Sequence, residues 1–256
     1  MTITPIFDPK KSERPMKVAA FMSGSGTNIM KLIAREKVLR AEEGTSPFEV
    51  KFIFSDRSDG KCAGEKIALD NGYPYFSYDI RSFHRLRSLK RTVLSPKGLA
   101  ARKEYDSIAK TLVATFQIDV IALGGYMSYI TLGRCVNVHP ADLSICTSGG
   151  TRKYVGDNAV YDAILAGEKT ISADTGPLLM VSNPLKVELP ETLEILVKDH
   201  QRFLQIVHEH QERLKEVGDW HIFPQTIEMI AKGRFAIDGG GRVYVDGKQT
   251  PDGYRE

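Results

Sequence analysis

The sequence predicts an α/β protein built on a mostly parallel, twisted sheet with helices on both faces, followed by a C-terminal helical and hairpin extension. Strand-like and helix-like segments alternate through the first half of the chain, a pattern typical of parallel sheets. The predicted strands are almost continuously apolar, as expected for strands buried on both faces. Three Gly-rich or polar segments each follow a predicted strand. We therefore expect them at one rim of the sheet, where ligands bind in such folds.

Composition and charge exclude several classes of protein. The 256 residues are 42% hydrophobic and 26% charged, which is ordinary for a globular protein and excludes a disordered or coiled-coil chain. The net charge of +3 is too small to indicate a nucleic-acid or membrane partner. No apolar run approaches the length of a membrane span. Three widely spaced cysteines favour a reducing compartment, and we expect a cytoplasmic protein.

The first half of the chain contains five predicted strands. They cover residues 17–22, 48–54, 73–77, 118–123 and 135–139. A helix with Ile29, Leu32 and Ile33 on one face follows the first strand. Another helix, with Ile108, Leu112 and Val113 at helical spacing, is predicted over residues 100–116. Residues 79–98 are basic and are predicted to be irregular.

The second half is less regular. The sequence predicts helices over residues 158–167, 191–217 and 224–232, and a hairpin around a glycine turn over residues 235–245. The apolar face of the second of these helices includes Leu204 and Ile206. Because no low-complexity linker is present, we expect an N-terminal arm (residues 1–15) and a single domain (residues 16–256) whose extension begins near residue 183.

The turn Ser23-Gly-Ser-Gly-Thr-Asn28 follows the first strand and precedes a helix. Glycines there allow backbone N–H groups to converge, and the helix dipole favours an anion such as phosphate. The alternative is a tight turn in which Ser25 or Thr27 caps the helix. A dinucleotide fingerprint fits poorly: Asp56 could supply its acid, but Ile29 replaces the third glycine.

Two further patterns carry acid–base chemistry. Asn137 and His139 are two residues apart on a predicted strand, so they project to the same side. An amide donor can stabilise an oxyanion while the imidazole transfers a proton. Asp174, in Asp174-Thr-Gly-Pro177, could raise the imidazole pKa if it lies nearby. The alternative for Asn137 and His139 is that their side chains bond to backbone groups at the end of a strand. The alternative for Asp174 is an ordinary turn.

These segments, in this order, resemble the folate-dependent formyltransferases that act in purine synthesis. The resemblance extends over about residues 16–182 and includes Gly124-Gly-Tyr-Met127 after the apolar strand. Residues 219–224 and the helix after them also resemble the family. The resemblance implies a Rossmann-like fold and formyl transfer from 10-formyltetrahydrofolate, as co-substrate, to the amine of a phosphorylated acceptor, by default glycinamide ribonucleotide.

The resemblance also implies roles for individual residues. Asn137 would stabilise the tetrahedral oxyanion, His139 would assist it and transfer protons, and Asp174 would tune His139. The phosphate of the acceptor would be bound by the Gly-rich turn, that is by Gly24, Ser25, Gly26, Thr27 and Asn28, and its ribose by Asp219. The folate would be bound by Gly125, Tyr126 and Met127. No metal is expected, since His208 and His210 do not share a helix face.

The sequence departs from the family in several places. Ser128 replaces an Arg that helps to hold folate, and the strand before Asp174 is shortened, so Asp142 or Asp157 is the alternative carboxylate. Residues 79–98 and 191–217 are atypical and could form a different acceptor pocket or a homodimer interface. Other functions consistent with the pattern are formyl transfer to another amine, hydrolysis of formyl-folate, and a catalytically weak folate- or nucleotide-binding module.

Overall fold

The computed structural model describes residues 2–139, 145–154, 158–171, 174–176, 181–182, 187–188, 200–250 and 254–255. The chain forms two compact units. We call Pro5–Asn137 with Ile227–Arg234 the N-terminal unit, and Met1–Thr4, Val138–Thr226 and Phe235–Glu256 the C-terminal unit. The prediction of a single domain with an extension stays a prediction.

The strands, in chain order, are β1 (Ile3–Pro5), β2 (Met16–Met22), β3 (Phe48–Ser55), β4 (Tyr75–Ser77), β5 (Val120–Leu123), β6 (Cys135–His139), β7 (Thr170–Ile171), β8 (Asp174–Gly176), β9 (Val181–Ser182), β10 (Val187–Glu188), β11 (Phe235–Asp238), β12 (Val243–Val245), β13 (Lys248–Gln249) and β14 (Tyr254–Arg255). The helices are α1 (Pro9–Ser12), α2 (Thr27–Glu43), α3 (Gly64–Asn71), α4 (Ile80–Leu86), α5 (Pro96–Thr115), α6 (Ala159–Leu165), α7 (His200–Leu214) and α8 (Trp220–Ala231), with a π-helical turn (Lys215–Asp219) between the last two.

The N-terminal unit contains a five-stranded parallel sheet in the order β4-β3-β2-β5-β6. Each of the five predicted strands is present, within two residues of its predicted bounds. β2 and β5 are buried along their lengths, apart from a half-buried Lys17, because both faces of the sheet are covered. The predicted α/β class with a mostly parallel sheet is confirmed.

Alternating residues of the strands contact the helices on the two faces of this sheet. Ala19 and Phe21 of β2 belong to a core cluster. The cluster also contains Phe52 and Phe54 of β3 and Ala109 of α5. Met22 points to the other face, where it approaches Ile67 of α3 across Gly26. α2 buries Ile29, Leu32 and Ile33, as its spacing predicts.

The basic segment 79–98 is more regular than predicted. α4 forms because the Asp79 side chain caps it by accepting a hydrogen bond from Ser82 N at 2.6 Å. α5 begins at Pro96 rather than Ala100, since Ser95 accepts from Gly98 N at 3.1 Å and Pro96 suits the first helical position. Ile108, which the spacing places on the apolar face, is 47% exposed.

In the C-terminal unit, β11 and β12 form the predicted antiparallel hairpin, with Phe235 opposite Val245. β10 pairs with β7, and β8 with β9, both antiparallel. α7 buries Phe203, Ile206 and Leu214, whereas Leu204, predicted on its apolar face, is 40% exposed. The predicted start of this helix, residues 191–199, lies outside the described residues. Within the described ranges, no helix combines the length and apolarity that crossing a bilayer requires.

Candidate active site

Three segments meet at the carboxyl edge of the parallel sheet in the N-terminal unit. β2, β5 and β6 are neighbours and run parallel, so their carboxyl ends share one edge. The Gly-rich turn follows β2, Gly125–Met127 follows β5, and Asn137 lies opposite Leu123 near the end of β6. The sheet therefore brings together three of the segments that the sequence singles out.

Gly26 makes the turn after β2 compact. It is the N-cap of α2 with φ of +71°, a left-handed conformation that favours glycine. A Cβ there would lie 2.4 Å from Met22 Cε and 2.6 Å from Ile67 Cδ1. A Cβ on Gly124, after β5, would lie 2.3 Å from Ile29 Cδ1 of α2. Both glycines thus allow α2 to pack closely on the strand ends.

Among the residues that the structure describes, no side chain caps α2 at Gly26, so the alternative in which Ser25 or Thr27 caps the helix is wrong. The Ser25 hydroxyl lies 3.3 Å from that of Thr27 instead. A 17-residue helix whose N-cap is a glycine presents its positive dipole end at this edge of the sheet. The arrangement can bind an anion.

The loop after β5, residues 124–131, is held by hydrogen bonds at both of its ends; we call it the β5 loop. Ser23 N donates to Gly125 O at 3.0 Å, and Met127 N donates to Ser23 Oγ at 2.9 Å. Ser23 therefore connects the Gly-rich turn to the predicted folate-binding segment. Met127 and Tyr129 are each 58% exposed, leaving apolar surface that suits a planar ring system.

A buried ion pair on α5 forms further hydrogen bonds to this loop. Arg102 and Asp106 are 2.9 Å apart, with side chains 3% and 2% exposed. Arg102 Nη2 donates to Tyr126 Oη at 3.2 Å, and Thr131 N and Oγ1 each donate to Asp106 at 2.7 Å. Burial raises the pKa of Tyr126, so its hydroxyl stays protonated at neutral pH.

Ser128 donates a short hydrogen bond to Asp56 Oδ2. Asp56 follows β3 and is 3% exposed, and its Oδ1 has no hydrogen-bond partner among the residues that the structure describes. Ser128 thus supplies a hydroxyl to a buried carboxylate. Sequence reasoning considered Asp56 only for a dinucleotide site and missed this pairing, as it missed Arg102 and Asp106. Their spacing of four on a predicted helix was the available signal.

The structure describes the other predicted polar residues to different extents. Asn137 is half-buried, and its side chain makes no hydrogen bond to any described residue. His139 ends β6 and Asp174 begins β8, but their side chains lie outside the described part. Asp219 is 4% exposed and ends the π-helical turn of the C-terminal unit.

The alternative carboxylates Asp142 and Asp157 lie outside the described residues. Residues 174–176 are a strand rather than the turn that was the alternative for them. Burial raises the pKa of Cys135 to about 12, so this thiol is not a nucleophile at neutral pH. Among the residues that the structure covers, no three His, Cys, Asp or Glu side chains group as a metal site requires.

Comparison with curated proteins shows similarity along most of the chain. The phosphoribosylglycinamide formyltransferase of Haemophilus influenzae is 22% identical over 242 residues, covering 92% of this chain and 96% of that enzyme. The trifunctional purine biosynthetic protein adenosine-3 of Gallus gallus is 22% identical over 236 residues, which is 89% of this chain but only 20% of that protein. No family model matches the chain.

A solved structure supports the same relationship. The phosphoribosylglycinamide formyltransferase of Coxiella burnetii superposes with a TM-score of 0.67 at 19% identity, covering 94% of this chain and 99% of that one. At this identity the structural similarity establishes the fold, and the curated relatives extend the similarity to the sequence. The predicted resemblance is therefore confirmed: the chain is similar to phosphoribosylglycinamide formyltransferases in sequence and has their Rossmann-like α/β fold.

Proposed function

We propose that the protein is a formyltransferase that transfers the formyl group of 10-formyltetrahydrofolate to the amine of glycinamide ribonucleotide. The observation that carries this proposal is the meeting of the Gly-rich turn, the β5 loop and Asn137 at the ends of three adjacent parallel strands. An anion site, an apolar surface and an amide donor are what a phosphorylated amine and a formyl-folate need in one place.

The Gly-rich turn would bind the phosphate of the acceptor. Gly24, Ser25, Gly26, Thr27 and Asn28 form this turn and the first residues of α2, and the uncapped helix start supports an anion there. In this proposal Asp219 contacts the acceptor ribose.

The folate would lie along the β5 loop, on Gly125, Tyr126 and Met127. The exposed side chain of Met127 supports a planar ring at this loop, and Ser23, Arg102 and Asp106 hold the loop by hydrogen bonds. Tyr126 is buried, so its proposed role is to support the loop. The folate supplies an activated formyl group. The chain supplies the orientation of that group and the polar atoms around it.

The proposed chemistry is an acyl transfer. The acceptor amine attacks the formyl carbon, and the Asn137 amide donates a hydrogen bond to the oxygen that becomes negative. The new C–N bond forms as the bond to the folate nitrogen breaks. The amine loses a proton and the folate nitrogen gains one, and we propose that His139, tuned by Asp174, carries this proton.

We further propose that the enzyme needs no metal, forms homodimers and works in the cytoplasm. Its substrates are small molecules in this proposal, and neither nucleic acid nor a membrane is a partner. The three free cysteines suit a reducing compartment.

The proposal is tested by following tetrahydrofolate formation from 10-formyltetrahydrofolate with and without glycinamide ribonucleotide. We expect acceptor-dependent turnover that falls by about 100-fold or more in His139→Ala, the usual effect of losing an acid–base group. His208→Ala, which removes an exposed histidine of α7, is the matched control and should keep wild-type turnover. Formate release without the acceptor would instead indicate hydrolysis, and full activity in His139→Ala would refute the assignment.

A further inference from the structure

Asp56 is a buried carboxylate whose charge is poorly compensated. It follows β3 and is 3% exposed. Its Oδ2 accepts the short hydrogen bond from Ser128, whereas its Oδ1 has no partner among the described residues. The guanidinium of the neighbouring Arg57 is bonded to Asp59 at 2.6 Å instead. Burying a carboxylate in this way costs folding free energy, so we expect Asp56 to have a role other than stability.

The backbone around Asp56 is held without its side chain. Ile80 N, at the start of α4, donates to Asp56 O at 3.0 Å, and Tyr78 N donates to Ser55 O at 3.0 Å. Main-chain hydrogen bonds therefore attach the segment after β4 to the end of β3. The Asp56 carboxylate is directed to a different part of the molecule, since it accepts its hydrogen bond from the β5 loop.

The β5 loop crosses the edge of the sheet to reach Asp56. In the strand order β3-β2-β5, the ends of β5 and β3 are two strand spacings apart, which is roughly 10 Å. The loop passes the end of β2, where Ser23 bonds to Gly125 and Met127, and then meets Asp56 at Ser128. The loop is thus held at the ends of two strands other than its own.

Ser128 lies between the two exposed apolar side chains of this loop. Met127 precedes it and Tyr129 follows it, and each is 58% exposed. Within the described ranges, the next residue of the loop that forms a hydrogen bond to another element is Thr131, which donates to α5. The bond to Asp56 therefore holds the middle of the surface on which the folate is proposed to lie.

We propose that Asp56 is a positioning residue for the folate: through its hydrogen bond to Ser128, it holds Met127 and Tyr129 in the arrangement that contacts the ring system. The inference rests on the proposed function, because it assumes that folate occupies the β5 loop. A carboxylate suits this role better than a neutral side chain, since hydrogen bonds to an ionised acceptor are roughly twice as strong. A loop that is already held in the bound arrangement loses less conformational entropy when the folate binds.

The test measures the Kd of tetrahydrofolate and the Kd of glycinamide ribonucleotide separately, by isothermal titration calorimetry. In Asp56→Ala we expect the Kd of tetrahydrofolate to rise about tenfold, because the binding-competent arrangement of the loop is less populated without this hydrogen bond. Asp56→Asn keeps an oxygen that can accept from Ser128 and should raise this Kd only about threefold. The Kd of glycinamide ribonucleotide should not change in either variant.

A double-mutant cycle determines whether Asp56 acts through Ser128. Ser128→Ala removes the hydroxyl, and Asp56→Ala/Ser128→Ala removes both partners. If the hydrogen bond transmits the effect, the double variant should bind tetrahydrofolate no more weakly than the weaker of the two single variants. Increases in Kd that multiply, to about a hundredfold, would show that the two residues act separately and would overturn the inference.

The matched control is Glu36→Gln, which neutralises another buried carboxylate of the same unit. Glu36 is 4% exposed and accepts from Val50 N at 3.0 Å, near the start of β3 and therefore at the opposite edge of the sheet from the β5 loop. Glu36→Gln should keep the wild-type Kd of both ligands.

An unchanged Kd of tetrahydrofolate in Asp56→Ala, or an equal weakening of both ligands, would refute the positioning role and leave the proposed function standing. A wild type that binds no tetrahydrofolate would refute both. Circular dichroism verifies that each variant is folded. If Asp56→Ala does not fold, Asp56→Asn and Ser128→Ala decide the question, since each should still weaken the binding of tetrahydrofolate and leave that of glycinamide ribonucleotide unchanged.

Discussion

At residue 26 both the backbone and the packing require glycine. We predict that Gly26→Ala destabilises the protein by about 1–3 kcal/mol, the usual cost of a non-glycine residue held in a strained conformation. The added Cβ would also push against Met22 and Ile67 and shift the start of α2. Urea denaturation measures the loss of stability, and the KM of the phosphorylated acceptor should rise.

Gly44 is the matched control, because it ends the same helix with φ of +74°, and a Cβ added there would meet no atom within 4 Å. Gly44→Ala should therefore show the backbone strain alone and leave the acceptor KM unchanged. Equal effects of the two substitutions on stability and KM would show that packing at Gly26 has no role.

At the scale of elements, α5 is joined to the β5 loop by the buried pair Arg102–Asp106. We predict that Asp106→Asn costs about 3–5 kcal/mol, because it leaves the Arg102 guanidinium buried without its counter-charge. The exposed pair Lys66–Asp70 on α3 has the same spacing of four. Asp70→Asn should cost no more than about 0.5 kcal/mol, and denaturant unfolding of both variants distinguishes the two cases.

The β11–β12 hairpin depends on one carboxylate. Asp238 accepts hydrogen bonds from Arg242 N, the Arg242 guanidinium and Gly240 N, and these lower the pKa of Asp238 to about 2. A lowered pKa means that ionised Asp238 stabilises the folded state above the unfolded-state pKa of about 4, and that this stabilisation is lost as the pH falls through about 2.

We therefore predict that Asp238→Asn lowers the Tm at pH 7 and that the difference from the wild type shrinks as the pH falls from about 4 towards 2. Thermal unfolding followed by circular dichroism across this pH range provides the measurement. A difference in Tm that is constant with pH would show that ionisation of Asp238 does not support the hairpin.

At the scale of the whole molecule, ligands that bind only the folded state must raise its stability. At a concentration 100 times its Kd, either tetrahydrofolate or glycinamide ribonucleotide should stabilise the protein by about 2.7 kcal/mol, which is a Tm rise of several degrees. At the same concentration as glycinamide ribonucleotide, the acceptor without its phosphate should give a smaller rise, because its Kd is higher when the Gly-rich turn has no anion to bind. Identical shifts with and without phosphate would contradict the assignment of that turn.

The sequence alone determined the features that depend on neighbouring residues. The apolar runs of β2, β3 and β5, the turn with Gly26 and the β11–β12 hairpin all arise from local sterics and from the period of two or 3.6 residues. The same local chemistry, as an ordered set of motifs, was enough to indicate the family. The helix caps formed by Asp79 and Ser95 also depend only on neighbouring residues. The sequence prediction missed these two helix starts because the many basic residues of 79–98 favoured an irregular segment.

Only the tertiary structure decided which distant residues meet. Ser128 and Asp56 are 72 positions apart, and their hydrogen bond exists because the strands before them end at the same edge of the sheet. Arg102 and Asp106 are buried although Ile108 of the same helix is exposed. The reason is that both charged side chains form hydrogen bonds to the β5 loop. Hydrophobic periodicity sets which side of a helix is apolar, but strand order and long-range polar partners set which charged groups can be buried together.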